Sequence, residues 1–142
     1  AFGGLVAIPA ISAFVPKSIV DSSIQATFAP QSAPVGYADY IGAGLTLRTS
    51  SMRANTRQVN TSRPHVVALS ERYPELTLPI EIVHGEEDTT VPIHIHAEEI
   101  EKIVTQVNTT RLTNVGHMPH HADPEAVINA IDRAAARAGI RD

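Results

Sequence analysis

Two ionisable side chains stand just past apolar runs that close on glycine, and their types define the chemistry open to this chain. The first run is Leu78-Pro79-Ile80-Glu81-Ile82-Val83-His84-Gly85, followed by Glu86-Glu87-Asp88. The second is Thr110-Arg111-Leu112-Thr113-Asn114-Val115-Gly116, followed by His117-Met118-Pro119-His120-His121. In open α/β sheets, ligands and catalytic groups gather outside the carboxyl ends of parallel strands, where Asp88 and His117 would both fall. A carboxylate beside an imidazole fixes the ring's tautomer and stabilises the imidazolium, which makes two of the three parts of a nucleophilic triad. Each residue also has a plainer reading. Asp88 suits a turn at a strand end, with Glu86 and Glu87 as neighbouring candidates for the acid. His117 alone would read as a core or loop histidine. Gly116 before it is expected to let the backbone turn sharply, so that the ring points into a cleft.

The other histidines raise a metal alternative. His94-x-His96 would put both rings on one face of a strand, as many metal sites require. On a helix, residues two apart lie on opposite sides, and this segment reads as helical. His120 and His121 are adjacent and do not both reach one ion from a regular element. No metal set and no cofactor are therefore expected.

The elements that must hold Asp88 and His117 follow from periodicity and punctuation. Ile80–Val83 is a short apolar run between Pro79 and Gly85, the pattern of a buried strand. A helix is expected from about Pro92, with Ile93, Ala97, Ile100, Val104 and Val107 as its apolar stripe and Glu98, Glu99, Glu101 and Lys102 mostly off it. Thr110–Val115 is the second expected strand. Asp123-Pro124-Glu125 starts the last helix with an N-cap, a first-turn proline and an acid near the positive end of the dipole. Its buried face is expected from Val127, Ile128, Ile131, Ala135 and Ala138, with Gly139 ending it. Strand, helix, strand, helix with crossovers of this length implies a parallel sheet.

Upstream the character is helical and loop-rich. Lys17–Phe28 carries Ile19, Val20, Ile24 and Phe28 at helical spacing and stops at Ala29-Pro30. Gln31–Gly36 reads as a loop. Tyr37–Leu47 is a helical segment broken by Gly42 and Gly44. Another starts near Ser50 as N-cap and is kinked or ended by Pro64, with His65–Tyr73 continuing helically.

Composition sets outer limits. A chain of 142 residues makes one domain or part of a larger one. The formal charge of −4 provides no basic field, so nucleic acid is not an expected partner. No cysteine is present, which excludes disulfides, thiolate metal sites and a cysteine nucleophile and is compatible with any compartment. The longest apolar stretch, Leu5–Pro16, is interrupted by Pro9 and Ser12 and falls short of the ~20 residues of a membrane helix. It has no basic stretch before it and is a poor secretory signal. With neither signal nor membrane segment in this stretch, the cytoplasm is favoured. The sequence starts at Ala1 and its first methionine is Met52, which points to a removed upstream segment or a fragment.

From Leu76 onward the chain resembles the C-terminal part of the α/β-hydrolase family. Such chains end with a strand leading to His-Gly-x-x-Asp, a helix, a strand leading to Gly-His-Met, and a closing helix. Here those motifs are His84-Gly85-Glu86-Glu87-Asp88 and Gly116-His117-Met118, in the family's acid-before-histidine order. The helical region before them is similar to the cap that some members insert over the pocket. Phe28-Ala29-Pro30-Gln31, Gly36-Tyr37 and Arg53-Ala54-Asn55 are similar to bacterial capped hydrolases, less specifically. The resemblance implies an α/β fold divided into a connector at 1–16, a helical cap or lid at 17–75 and a C-terminal core segment at 76–142. It implies Asp88 as triad acid and His117 as base.

The chain departs from that family in one large respect. None of its serines has a glycine two residues to either side, so no Gly-x-Ser-x-Gly elbow is present. The resemblance therefore implies that the nucleophile, the first strands and the oxyanion-hole loop precede Ala1, and that the chain's partner is this missing N-terminal core. A serine nucleophile implies esters, thioesters or amides; an aspartate implies epoxides or haloalkanes. Serine is favoured by analogy, because ester-type chemistry is the commoner use of the fold. The lid's modest aromatic and aliphatic content suggests a small or medium, fairly apolar small-molecule substrate. Phe28, Tyr37, Tyr40 and Met52 are candidates to line its pocket, though spacing favours packing within the cap. The rival readings are a metallohydrolase on His94, His96 and His120, and a non-catalytic ligand-binding module.

One prediction follows from the sequence. The chain by itself should lack hydrolase activity and be poorly folded or self-associating, since two parallel strands leave an unpaired edge and the helices' apolar faces lack a sheet to cover. Each large apolar side chain left wet forfeits about 1.5–3 kcal/mol. Urea unfolding with analytical ultracentrifugation tests this, and a cooperative transition from a clean monomer would refute it.

Overall fold

Lys17 opens the first helix directly after Pro16, and Phe28, its last residue, is also its only buried one. This helix, α1 (Lys17–Phe28), matches the span its apolar spacing predicts. The computed structural model describes residues 15–140. The connector expected at 1–16 lies outside the described residues except for its last two. The described chain divides into two units, one of residues 15–25 and 33–70, the other of 26–32 and 71–140. Sequence reading keeps all of 17–75 together, whereas residues 26–32 pack with the second unit.

The first unit is helical. After the loop at 31–36 come a single turn, α2 (Tyr37–Tyr40), and a 3₁₀ turn at Ala43–Leu45. Gly36 and Gly42 precede these turns with φ of 77° and 63°, a left-handed backbone that glycine adopts without steric cost. The long helix α3 (Thr49–Ser70) differs from expectation at two points. Ser50 lies inside it and is not its N-cap: the first turn closes when Met52 N–H donates to the Arg48 carbonyl. Pro64 neither ends nor splits it. The missing amide deprives the Asn60 carbonyl of its helical donor, but Asn60 is exposed and water can fill that role.

The second unit carries the sheet. Strand β1 (Ile80–Gly85) and strand β2 (Val107–Leu112) run parallel, pairing Ile80 with Val107 through Gly85 with Leu112. Among the described residues the sheet has these two strands alone. With the helices around it, this is an α/β arrangement. β2 begins and ends three residues earlier than the expected Thr110–Val115. Its early start follows from the pairing of Val107 with Ile80. Its early end follows from Asn114, whose φ of 59° cannot continue an extended strand.

The crossover helix α4 (Ala97–Ile103) starts later than Pro92. Residues 92–96 form separate turns instead, closed by Ile95 N–H to the Pro92 carbonyl and by Glu98 N–H to the Ile93 carbonyl. The β-branched Val91, Ile93 and Ile95 disfavour helix here. Val104 is therefore not a helical position: it caps α4 in an extended conformation, and Val107 belongs to β2. A short α5 (Pro119–Ala122) leads to α6 (Pro124–Arg137), which starts as expected, with Asp123 accepting from Ala126 N–H at 3.0 Å. Gly139 ends it at a φ of 69°.

The polar contacts show which helix covers which face. Arg111 on β2 pairs with Glu98 and Glu101 of α4, whereas its neighbour Thr110 accepts from Arg133 of α6. Successive strand residues point to opposite faces, so α4 and α6 flank the sheet on its two sides. The core between them is thin: Ala97, Val104, Val115 and Ala130 are buried, and no large side chain is fully enclosed among the described residues. The buried face of α6 centres on Ala130. Val127 and Ala135 are half-buried, and the expected Ile128, Ile131 and Ala138 are exposed, because two strands offer too little surface to cover a stripe that wide.

Glu81 ties α6 to the sheet. Its side chain is 3% exposed and meets Arg133 at 3.0 Å, Arg137 at 2.7 Å and Asn108 at 3.0 Å. Burial pushes its carboxyl up, but the bonds from Arg137, Asn108 and Arg133 outweigh this and hold it below the usual range. Arg137 also donates to the carbonyls of Ile80 and Gln106, closing the amino ends of both strands. Glu81→Gln should loosen β1, β2 and α6 together by about 1–3 kcal/mol, the scale of charged hydrogen bonds in a partly exposed cluster. Native-state hydrogen exchange of the strand amides measures it, and unchanged protection would show that the cluster is ornamental.

Candidate functional site

Because Gly85 and Leu112 are register partners, the loops after β1 and β2 leave the sheet side by side. They are then stitched together. Glu86 N–H donates to the Leu112 carbonyl at 3.0 Å, Glu87 N–H to the Val115 carbonyl at 2.9 Å, and the Thr113 hydroxyl to the Glu86 carboxylate at 2.9 Å. Gly85 permits the approach, since a Cβ there would lie 2.2 Å from the Val115 carbonyl oxygen. No other residue fits without moving a backbone.

Asp88 is 8% exposed and uses both oxygens. Oδ1 accepts from the N–H groups of Thr90 and Val91, each at 2.8 Å, which closes an Asx turn. Oδ2 accepts from His117 Nδ1 at 2.8 Å. Asp88 thus closes the turn with one oxygen and holds the His117 ring with the other. Glu86, held by Thr113, and the exposed Glu87 make no contact with His117. Burial raises the Asp88 carboxyl, yet the bonds from Val91 N–H, His117 and Thr90 N–H outweigh burial and leave it below the usual carboxylate range.

An ionised Asp88 can only accept, so the bonding proton sits on His117 Nδ1 and a neutral ring keeps its lone pair on Nε2. Nε2 makes no hydrogen bond among the described residues, and the ring is about one-third exposed. A cleft of about 200 Å³ is lined by His84, Asp88, Val91, His117 and Pro119, together with Val83 and Gly85.

The loop before His117 is held in a way the sequence does not announce. Asn114, not Gly116, takes the left-handed turn. Gly116 is needed for space: a Cβ there would lie 1.8 Å from the Ala29 carbonyl oxygen. Gln31 braces the same loop, donating to the Asn114 carbonyl at 2.5 Å and accepting from Gly116 N–H at 3.3 Å. Phe28, 3% exposed, packs its ring against His121 at a centroid distance of 5.2 Å. Residues 28–31 are therefore part of the site's frame. The only sequence sign was the cluster Phe28-Ala29-Pro30-Gln31 itself.

His84 enters the sequence reading only as the first residue of the His-Gly-x-x-Asp motif. Its side chain is 11% exposed, with Nε2 3.0 Å from the Val91 carbonyl and 3.7 Å from Asp88 Oδ2. The i, i+4 spacing of His84 and Asp88 around a strand-end turn was the available signal. His94 and His96 are exposed on the turns before α4, and His120 and His121 lie together on α5. Among the described residues, no group of three His, Asp or Glu side chains is placed to hold a metal ion. No helix of the described residues is long and apolar enough to cross a membrane. Of the aromatic candidates for a pocket, Tyr37 lines a separate cleft of about 340 Å³ in the first unit, while Tyr40 is 86% exposed.

The site is thus a carboxylate–imidazole pair beyond the carboxyl ends of two adjacent parallel strands. No family model matches the sequence, and no curated protein or solved structure matches it either.

The depressed Asp88 carboxyl fixes a pH dependence. A carboxyl with a lowered folded pKa contributes stability that is complete above its unfolded value and disappears as pH falls through the folded one. The Asp88–His117 link should therefore persist through the ordinary carboxylate range and break only in stronger acid. The ¹³Cγ shift of Asp88 reports this directly. A midpoint at or above that of an exposed aspartate would contradict it.

Proposed function

We propose that this chain is the C-terminal part of a capped α/β-hydrolase that cleaves a small or medium, fairly apolar ester-type substrate. The observation that carries the reading is the 2.8 Å bond from His117 Nδ1 to Asp88 Oδ2, made at the ends of neighbouring parallel strands with Nε2 left unbonded. The acid is buried, ionised and fixed by two backbone amides, and the ring it orients lines a cleft. The order of acid before histidine and the motifs around both residues support the same reading. The helical first unit would be the cap.

In this mechanism a hydroxyl nucleophile carried outside these 142 residues gives its proton to His117 Nε2 as its oxygen attacks the ester carbonyl. The Nδ1 proton stays on the ring, and the Asp88 charge stabilises the imidazolium. Nε2 then returns the proton to the leaving alkoxide. Water, giving a proton to the same nitrogen, then attacks the acyl carbonyl; the acyl–oxygen bond breaks, Nε2 returns the proton to the nucleophile oxygen, and the acid leaves. With an aspartate nucleophile in place of serine, His117 would activate only the water.

The test uses the polypeptide that joins this chain to its nucleophile-bearing segment. p-Nitrophenyl ester turnover should fall by about three orders of magnitude or more in His117→Ala, because loss of one triad member removes most of the chemistry. Circular dichroism should be unchanged. Turnover near wild type in that variant would show the histidine to be structural. Epoxide hydrolysis with no labelling by a fluorophosphonate would move the nucleophile from serine to aspartate.

A further inference from the structure

Asp88 and His117 account for two of the three ionisable side chains around the cleft. The third, His84, lies deeper than His117, with its side chain 11% exposed against 34%. Its Nε2 stands 3.0 Å from the Val91 carbonyl, which can only accept, so the ring carries its proton on Nε2 and donates there. The same nitrogen is 3.7 Å from Asp88 Oδ2, too far for a hydrogen bond.

Val91 is therefore held at both ends. Its carbonyl takes the His84 proton, and its N–H gives the 2.8 Å bond to Asp88 Oδ1. β1 fixes His84 one residue before Gly85, so the imidazole anchors the turn at 88–91 to the strand. Without it, the turn would rest on the Asx bonds and Asp88 N–H to the Gly85 carbonyl. We propose that His84 is a positioning residue: by clamping Val91 it sets the Asp88 carboxylate, and through it the tautomer and direction of His117. The inference rests on the hydrolase reading for its consequence in turnover, but its geometric content stands apart from that reading.

The experiment compares His84→Leu, His84→Gln and His84→Glu in the full polypeptide. Glutamine places an N–H donor near the Nε2 position, and glutamate has the same length without a donor. In the leucine variant kcat should drop about 10- to 100-fold, the scale seen when a group orienting a functional ligand is lost, with KM changed far less. The His117 Nδ1 proton, a low-field resonance when held by Asp88, should broaden or vanish. Glutamine should restore both signals to near wild type, and glutamate should restore neither. Wild-type kcat and an intact resonance in His84→Leu would overturn the proposal. Equal behaviour of the glutamine and glutamate variants would overturn it as well, since the ring would then act by bulk alone. If leucine prevents folding, the glutamine–glutamate pair decides by itself. If the wild-type polypeptide turns over no ester, the hydrolase reading fails, and the Nδ1 resonance across the variants still judges His84.

Discussion

Everything at the site depends on two backbones approaching at Gly85, where the loop after β2 passes so close that a single methyl group would collide with the Val115 and Gly116 carbonyls. That contact converts strand register into side-chain geometry. Parallel pairing brings Gly85 level with Leu112, but a strand separation alone would leave the following loops free to diverge. The amides of Glu86 and Glu87, bonded across to the Leu112 and Val115 carbonyls, hold them together only because nothing stands between. Asp88 and His117 then meet from elements far apart in sequence. A second close approach, of Gly116 to Ala29, fixes the histidine loop from its other side.

The two buried carboxylates of the second unit show how partner choice divides structure from chemistry. Glu81 is compensated by two guanidinium groups that cannot give up a proton, so its charge is locked into the joint between sheet and helix. Among the described residues, Asp88 has no such cation. Its charge is stabilised by two backbone amides and an imidazole, and the imidazole has a second nitrogen left unbonded among the described residues. The same burial thus yields a brace in one place and a responsive pair in the other.

Much of this was legible because the signals were local. The strand at Ile80, the N-cap at Asp123, the stop at Gly139 and the placing of Asp88 and His117 past strand ends all rest on short-range pattern. What the sequence concealed was set by tertiary context. Val104 and Val107 fit a helical stripe, yet Val107 pairs with Ile80 and takes the chain into β2. Ser50 looks like a cap, but the carbonyl of Arg48 starts the turn first. Gly116 suggests a sharp turn, whereas its lack of a side chain serves a neighbour 87 positions earlier, Ala29, and the turn falls to Asn114. The contacts of His84 and Gln31 are concealed for the same reason: each bonds a backbone group, Val91 or the loop at 114–116, that no periodicity reveals.

The bracing of the histidine loop by residues 28–31 also bears on the order in which the molecule assembles. The bond between Gly116 and Gln31 closes a span of 85 residues, and the one to Asn114 a span of 83. Contacts of such separation form late, because the entropy of closing a long loop is lost before the contact returns anything. The β1–α4–β2 unit, whose contacts are nearer in sequence, can be complete while that brace is still open. During synthesis the early segment leaves the ribosome first and must wait for the histidine loop to emerge. The Asp88–His117 bond, 29 residues apart, closes with the sheet, so a nascent protein passes through a stage in which its imidazole is aimed while the loop that carries it still lacks its outer brace.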